Sequence, residues 1–165
     1  MQAQDPLKRI ATIGVYGWTL DRWLEALRAA GVALVLDVRQ RRGVRGSEYA
    51  WANAQRLQSE LAAAGIDYDH RKELAPTTEL RQLQYREDDR AGVGKRSRTE
   101  LAPAYREGYI REILDRADLD AVVADLPAGR TSALLCVERD PEACHRSLVA
   151  ERLTHVYGLP VVHLR

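Results

Sequence analysis

The sequence predicts an α/β protein, a three-layer α/β/α sandwich with a mainly parallel sheet in its middle layer. Short apolar segments alternate along the chain with longer segments whose apolar residues recur at helical spacing. One short segment, 32–38 (VALVLDV), is apolar almost throughout, which is typical of a strand covered by helices on both faces. Strands that alternate with helices along one chain favour this architecture.

The first third of the chain predicts a β-α-β unit. Residues 9–16 (RIATIGVY) are rich in β-branched side chains and form the first strand. Thr19 is the residue type found at helix N-caps, and Gly31 ends the helix that follows. The apolar residues of this helix share one face: Leu20, Trp23, Leu24 and Leu27. Because such connections are right-handed, we expect segment 32–38 to run parallel to the first strand.

The middle third predicts one more helix and strand, followed by a polar insertion. A helix at 51–64 ends before Gly65 and leads to a weaker strand at 66–70. Residues 72–103 are polar and contain proline and glycine breakers, with a short helix from about Thr78 to Arg86. Since this insertion is longer than most connections in compact domains, we expect it to bind a ligand or to be mobile.

The last third predicts two strands and the helix between them. Two other helices come first, one after Pro103 and a shorter one capped by Asp118. Segment 132–137 (SALLCV) has the strongest strand pattern in the chain, and segment 160–164 (PVVHL) completes the sheet. Asp140 and Pro141 are typical of an N-cap and a first helical position, so we expect them to open the helix between these strands.

Composition limits the classes of function. The 165 residues include 25 Lys and Arg against 24 Asp and Glu, for a formal net charge of +1. This balance excludes a general attraction to nucleic acid or to an anionic membrane, so an anion must bind at a local patch. The length favours a single domain over 1–165. With 2 Cys and no apolar segment of membrane-spanning length, we expect a cytoplasmic protein with reduced thiols.

Polar residues follow the predicted strands at the carboxyl edge of the sheet, where parallel α/β proteins bind ligands. Tyr16 ends the first strand, Asp37 and Arg39 lie at the end of the second, and Glu138 follows the penultimate strand. We expect Asp37 or Glu138 to serve as the catalytic acid or base, and Tyr16 to contact the substrate.

Three more candidates lie within the first two turns of the next predicted helix: Cys144, His145 and Arg146. The N-terminus of a helix favours an anion, so Arg146 is expected to hold phosphate there. His145 either orients or shuttles a proton, or is a histidine hydrogen-bonded at the sheet edge. Cys144 is either a reactive thiolate or a residue packed beside the buried helix face.

The loop at 39–46 (RQRRGVRG) is a second basic element. It has four arginines, two glycines and no acid. Glycines let the backbone approach a ligand, and guanidinium groups match phosphate oxygens in pairs. We therefore expect these arginines to bind substrate phosphates: Arg39, Arg41, Arg42 and Arg45. The other interpretation of such a run is a solvated loop surface.

Cysteine and histidine spacing does not predict a metal site. The chain has no C-x-x-C pair, and Cys136 and Cys144 lie on either side of a strand-to-helix junction. We therefore expect no bound metal, and we interpret Cys136 as a small buried apolar residue. The Walker A and G-x-G-x-x-G patterns are absent too, so the sequence identifies no cofactor.

Four segments resemble a known family. They are ALLCVERDPEACHRS (133–147), TIGVYG (12–17), LVLDVRQRRGVRGSEYAWAN (34–53) and KELAPT (72–77). With its CxExxPxxCHR signature, the chain resembles the bacterial and archaeal domain-of-unknown-function family 488. Many members have T-I-G-H-S at the first strand, where this chain has Val15 and Tyr16, so no role of that histidine carries over. The resemblance implies an α/β fold but no activity, and Lys72 of the KELAPT segment joins the candidate substrate-binding residues.

Two hypotheses of function follow. In the first, the protein is an enzyme that acts on a phosphate-bearing substrate, a nucleotide or nucleic acid, at the carboxyl edge of the sheet. In the second, it is a non-catalytic module that binds nucleic acid or a nucleotide through the same arginines. The two differ in whether Glu138, Cys144 and His145 line an open cleft or are packed without ligand access. The oligomeric state is left open.

Overall fold

Five parallel strands form one sheet across the middle of the protein, which a computed structural model describes over residues 7–165. The strands are β1 (Arg9–Ile13), β2 (Val32–Asp37), β3 (Asp67–His70), β4 (Thr131–Leu135) and β5 (Val161–Leu164). Their order across the sheet is β3-β2-β4-β1-β5. The fourth strand in sequence is therefore inserted between the first two, and it pairs with both of them.

Helices cover both faces of the sheet. One face packs against α1 (Leu20–Ala29) and α2 (Ala54–Ala63). The other face packs against α3 (Thr78–Ala91), α4 (Pro103–Glu112), α5 (Leu119–Ala124) and α6 (Arg146–Tyr157). The predicted three-layer α/β architecture is confirmed. None of the helices within residues 7–165 combines the length and the apolar character that crossing a bilayer requires.

Side chains that alternate along the strands supply both apolar cores. In β2, Leu34 and Leu36 pack toward the face that carries α3 to α6, whereas Val35 packs toward α1 and α2. All three side chains are buried. Because both faces are covered, the strand needs apolar residues at successive positions, which explains the continuous apolar run at 32–38.

The helix caps agree with the sequence prediction, while some helix bounds differ. The Thr19 hydroxyl accepts a hydrogen bond from the backbone N–H of Arg22, and the Asp118 carboxylate caps α5 in the same way. The helix expected at 51–64 begins as a 3₁₀ turn at Ser47–Ala52 and continues as α2. Within the polar insertion, α3 is longer than the predicted 78–86 and ends at Gly92, which has a φ of +70°. A left-handed residue at this position suits glycine and ends the helix.

The prediction that Asp140 and Pro141 open the last long helix is wrong. These residues lead only into a 3₁₀ turn at Pro141–Ala143, and the chain is extended at Cys144 before α6 begins at Arg146. The fully buried Arg146 guanidinium donates hydrogen bonds to the carbonyl oxygens of Glu138, at 2.7 Å, and of Arg139, at 3.1 Å. This side chain ties the start of α6 back to the end of β4, so the segment between them folds as a compact loop.

Candidate functional site

A small cavity lies at the carboxyl end of β4. The strands on both sides of β4 continue into helices of one face, whereas β4 continues into α6 on the opposite face. Loops diverge at such a point of a parallel sheet and leave a crevice. The cavity has a volume of about 50 Å³, enough for a few water molecules or one small oxyanion. Its polar lining includes Arg39, Lys95, Arg98, Cys136, Glu138 and His145.

A buried ion pair supports one wall of the cavity. The Arg39 guanidinium donates to both carboxylate oxygens of Asp37, through Nε at 2.9 Å and Nη2 at 2.8 Å. The Tyr68 hydroxyl donates to the same carboxylate at 2.6 Å. Burial and this hydrogen bond raise the pKa of Tyr68 to about 12, so the hydroxyl keeps its proton near neutrality. Asp37 is fully buried beneath Arg39, and only Arg39 of this pair reaches the cavity surface.

A second buried network orients Glu138. Arg98, from the end of the polar insertion, donates to Glu138 Oε1 at 2.9 Å and to Asp88 Oδ2 at 2.6 Å. The insertion therefore completes the cavity, and Arg98 compensates the charge of Glu138. Lys95 lines the same space, and although burial disfavours its charge, the nearby Glu138 carboxylate raises the pKa of its ammonium group. The cavity thus presents a carboxylate beside an ammonium group.

Two thiols and an imidazole form a buried cluster beside Glu138. His145 Nδ1 lies 3.7 Å from Cys136 Sγ and 3.8 Å from Cys144 Sγ. The other ring nitrogen, Nε2, lies 2.8 Å from the carbonyl oxygen of Val38. A carbonyl only accepts hydrogen bonds, so Nε2 carries a proton and Nδ1 faces the sulfurs. The ring also packs against Tyr109, with ring centroids 5.2 Å apart.

The three groups of the cluster shift one another's pKa values. Burial opposes ionisation of Cys144, but hydrogen bonding from Cys136 and the charge of His145 outweigh it and hold the pKa of the Cys144 thiol well below its ordinary value. Burial and the Cys144 sulfur raise the pKa of Cys136. Burial also opposes protonation of His145, but the interaction with Cys144 outweighs it and raises the pKa of the imidazole. Cys136 and His145 border the cavity, whereas Cys144 lies behind them.

A wider groove adjoins the small cavity. It has a volume of about 670 Å³ and shares lining residues with the cavity, including Arg41 and Lys95. Five cationic side chains line it: Arg41, Arg45, Arg81, Lys95 and Arg96. Among the residues that the structure describes, no carboxylate lines this groove, and of the five cations only Arg96 forms an ion pair, with Glu48. We call this surface the cationic groove.

Aromatic rings border the cationic groove. Tyr16 and Tyr85 line it, and Tyr49 lies against Tyr16 with ring centroids 5.3 Å apart. The Arg96 guanidinium is 4.9 Å from the ring centroid of Tyr16 and 5.3 Å from that of Tyr49. Cation–π contacts at these distances are attractive and hold the Arg96 segment of the insertion against the loop that follows β1.

The comparison with protein families shows which family the chain belongs to. The model of the domain of unknown function DUF488 matches residues 19–153, which include every residue that lines the small cavity. The chain belongs to the DUF488 family. No curated protein and no solved structure matches it.

The structure brings some of the candidate residues of this DUF488 chain together. Those that line the small cavity or the cationic groove are Tyr16, Arg39, Arg41, Arg45, Glu138 and His145. Those buried behind the cavity are Asp37, Cys144 and Arg146. Arg42 donates to the Tyr68 hydroxyl at 3.3 Å, and Lys72 is exposed on a 3₁₀ turn and lines neither space. Arg146 is engaged by backbone carbonyls, which explains why it does not face a ligand site.

Sequence reasoning missed several residues that line the candidate site. Cys136 was interpreted as an apolar strand residue, but β4 ends at Leu135, so Cys136 is the first residue past the strand. The apolar run continues through Val137, so the sequence carries no signal that the strand ends before Cys136. Arg81 and Tyr85 lie one turn apart on α3, with Arg81 Nη2 donating to the Tyr85 hydroxyl at 3.0 Å. The helix predicted at 78–86 already contains both residues, but its sequence pattern does not show that this helix borders the groove.

Proposed function

We propose that the protein is an enzyme that acts on a phosphate-bearing substrate, a nucleotide or a nucleic acid, at the carboxyl edge of its sheet. The observation that carries this proposal is the continuity of two spaces. Within residues 7–165 the groove is lined by cations and by no carboxylate, and it shares Arg41 and Lys95 with a small cavity that holds a carboxylate, a thiol and an imidazole. Binding energy from phosphates in the groove would position the reacting part of the substrate in the cavity.

The cationic groove suits a polyanion better than a single phosphate. Its lysine and arginine side chains surround about 670 Å³, which exceeds the size of one phosphate group. Arg41 and Arg45 are exposed, so their guanidinium groups are free to pair with successive phosphates. Tyr16 and Tyr85 also line the groove, each with an arginine over its ring, and in this proposal a base of a nucleotide or a single strand stacks on the opposite ring face.

Glu138 is the residue best placed to transfer a proton. One of its oxygens is held by Arg98 at 2.9 Å, which fixes the carboxylate, and the residue lines the cavity. Lys95 lies on the same cavity wall and can neutralise charge that develops on a phosphate oxygen. In this proposal Glu138 is the acid or base and Lys95 stabilises the anion, while the arginines bind the substrate.

A non-catalytic binding module is the second candidate. The observation that favours it is that two cavity residues are already bound within the protein. Glu138 forms an ion pair with Arg98, and His145 is hydrogen-bonded to the carbonyl oxygen of Val38. In this candidate, these internal hydrogen bonds serve to hold the loop that carries the arginines. The groove would then bind nucleic acid or a nucleotide without changing it.

The test is an activity screen with a matched pair of variants. The reduced protein, as purified and after supply of divalent metal, is incubated with phosphomonoesters, nucleotides and single- and double-stranded oligonucleotides, and products are separated by chromatography. We expect turnover of at least one substrate class, lost in Glu138→Gln and retained in Glu142→Gln, an exposed residue of the same loop. Binding of oligonucleotide without product would support the module instead. Absence of both binding and product would contradict both candidates.

A further inference from the structure

We propose that Cys136, Cys144 and His145 form a binding site for one zinc ion, with a fourth coordination position open toward the small cavity. The two sulfur atoms and one imidazole nitrogen lie within 4.8 Å of one another, and all three side chains are buried. Both cysteines are free thiols. The site needs no substrate, so this inference goes beyond the proposed function and does not depend on it.

The distances between the donor atoms suit tetrahedral zinc. With Zn–S bonds of about 2.3 Å and Zn–N bonds of about 2.0 Å, tetrahedral geometry separates sulfur from nitrogen by about 3.5 Å. His145 Nδ1 lies 3.7 Å from one sulfur and 3.8 Å from the other. A zinc ion can therefore replace the Nδ1 proton between the two sulfurs, since all three donor atoms already lie within 4.8 Å of one another.

The surroundings of His145 are those of a metal ligand. A histidine that binds metal through one ring nitrogen almost always donates its other N–H to a carbonyl or carboxylate, which orients the ring. Here Nε2 lies 2.8 Å from the carbonyl oxygen of Val38, and the Tyr109 ring packs against the imidazole. The ring is thus already held in the orientation that presents Nδ1 to a metal.

The donor set favours zinc among the common metals. Thiolates select soft or borderline ions, and imidazole suits zinc, whereas magnesium and calcium prefer oxygen ligands. Two thiolates and a neutral imidazole balance the charge of a divalent ion exactly to zero, so burial of the complex carries little electrostatic cost. Two cysteines and one histidine with a fourth, exchangeable position are a ligand set found in catalytic zinc sites.

The open position would face Glu138. Cys136 and His145 border the cavity while Cys144 lies behind them, so the free side of the ion points into the cavity. Glu138 Oε2 lies 3.3 Å from Cys136 Sγ. A water molecule bound at the fourth position would therefore lie beside a carboxylate that can accept its proton.

This inference reverses the expectation drawn from sequence spacing. The two cysteines lie eight positions apart, a spacing that no short zinc motif uses, and His145 directly follows Cys144. The extended backbone at Cys144, together with the hydrogen bonds from Arg146 to residues 138 and 139, folds the loop so that Cys144 returns to Cys136. The loop that replaces the expected helix start thus creates the cluster.

The experiment measures metal binding directly on untagged, fully reduced protein. Bound metal is removed with a chelator, and zinc is titrated back in competition with a chromophoric chelator. We expect one zinc per chain, and at least a 100-fold loss of affinity in Cys136→Ser and in Cys144→Ser, since even residues outside the ligand shell change metal affinity by about 10–100-fold. His155→Ala, an exposed histidine on α6, is the control and should bind as the parent does.

A second measurement on the unaltered protein keeps the proposal testable if the serine variants do not fold. Cobalt(II) in place of zinc should give an intense sulfur-to-cobalt charge-transfer band together with the visible bands of tetrahedral coordination. Zinc binding without that band, or no stoichiometric zinc binding by the reduced parent, would overturn the site. The variant Arg41→Gln/Arg45→Gln should keep full zinc affinity, so failure of the metal site and failure of the cationic groove are separate results.

Discussion

Removing two arginines from the cationic groove should weaken binding of a single-stranded oligonucleotide. The change is Arg41→Gln combined with Arg45→Gln, because both side chains are exposed, line the groove and form no ion pair within residues 7–165. Glutamine keeps the approximate length and polarity of arginine and removes its charge. Arg42 is left in place because it donates to the Tyr68 hydroxyl and supports the network around Asp37.

The expected loss of affinity follows from the number of arginine–phosphate contacts that the double variant removes. A hydrogen bond to a charged group contributes about 1.5–3 kcal/mol, and solvent exposure of these arginines places each near the lower limit. Loss of at least about 1.4 kcal/mol corresponds to a tenfold weaker dissociation constant. Each phosphate contact with a single strand also contributes about 0.7 to the slope of log K against log salt, so the slope should fall by about 1.4.

The assay is fluorescence anisotropy with a labelled oligonucleotide at several salt concentrations, with a thermal melt of each variant. The control is Arg9→Gln/Arg130→Gln, which removes the same charge from exposed residues at the amino edge of the sheet. It should change affinity by less than threefold. If both double variants lose affinity equally, binding follows net charge and the groove is not the site. If the groove variant binds as the parent does, its arginines are only a solvated surface.

Two further predictions concern stability, measured as the free energy of unfolding in urea. Asp37→Asn should lower the free energy of unfolding by about 3–5 kcal/mol, because it leaves the Arg39 charge buried without a carboxylate. The control, Asp69→Asn, removes a half-exposed carboxylate and should lower it by less than about 1 kcal/mol. Equal losses in the two variants would refute the role of burial. Gly14→Ala places a Cβ atom 2.0 Å from the carbonyl oxygen of Glu138. The substitution should therefore destabilise the folded protein by about 3 kcal/mol or more. An unchanged urea midpoint would show that the loop after β4 moves freely.

The sequence predicts the layers of the fold well because local patterns determine them. Thr19 and Gly31 mark the ends of the first helix, and the apolar run at 32–38 identifies a strand buried on both faces. The order of the strands is not local. Insertion of β4 between β1 and β2 depends on packing between segments far apart in the chain, and no pattern within a single segment encodes it.

The sequence predicts where the candidate site lies, but not all of the residues that line it. Parallel strands predicted that Arg39 and Glu138 would meet at the carboxyl edge, and both line the cavity. Cys136 was missed because strand periodicity cannot separate the last residue of a strand from the first residue beyond it. Arg146 was expected to face a ligand, yet its burial against backbone carbonyls follows from the break in the chain at Cys144, which helix patterns do not indicate.

The central position of β4 also determines at what stage of synthesis the sheet can form. Thr131 pairs with Arg9 on one side and with Val32 on the other, so β1 and β2 belong to one sheet only when β4 lies between them. Before residue 131 has been synthesised, β1 and β2 each have an unpaired edge, and unpaired strand edges are prone to aggregate. Joining residues so distant in sequence is slow. The cavity at the carboxyl end of β4 therefore forms only after this step, when most of the chain has been synthesised.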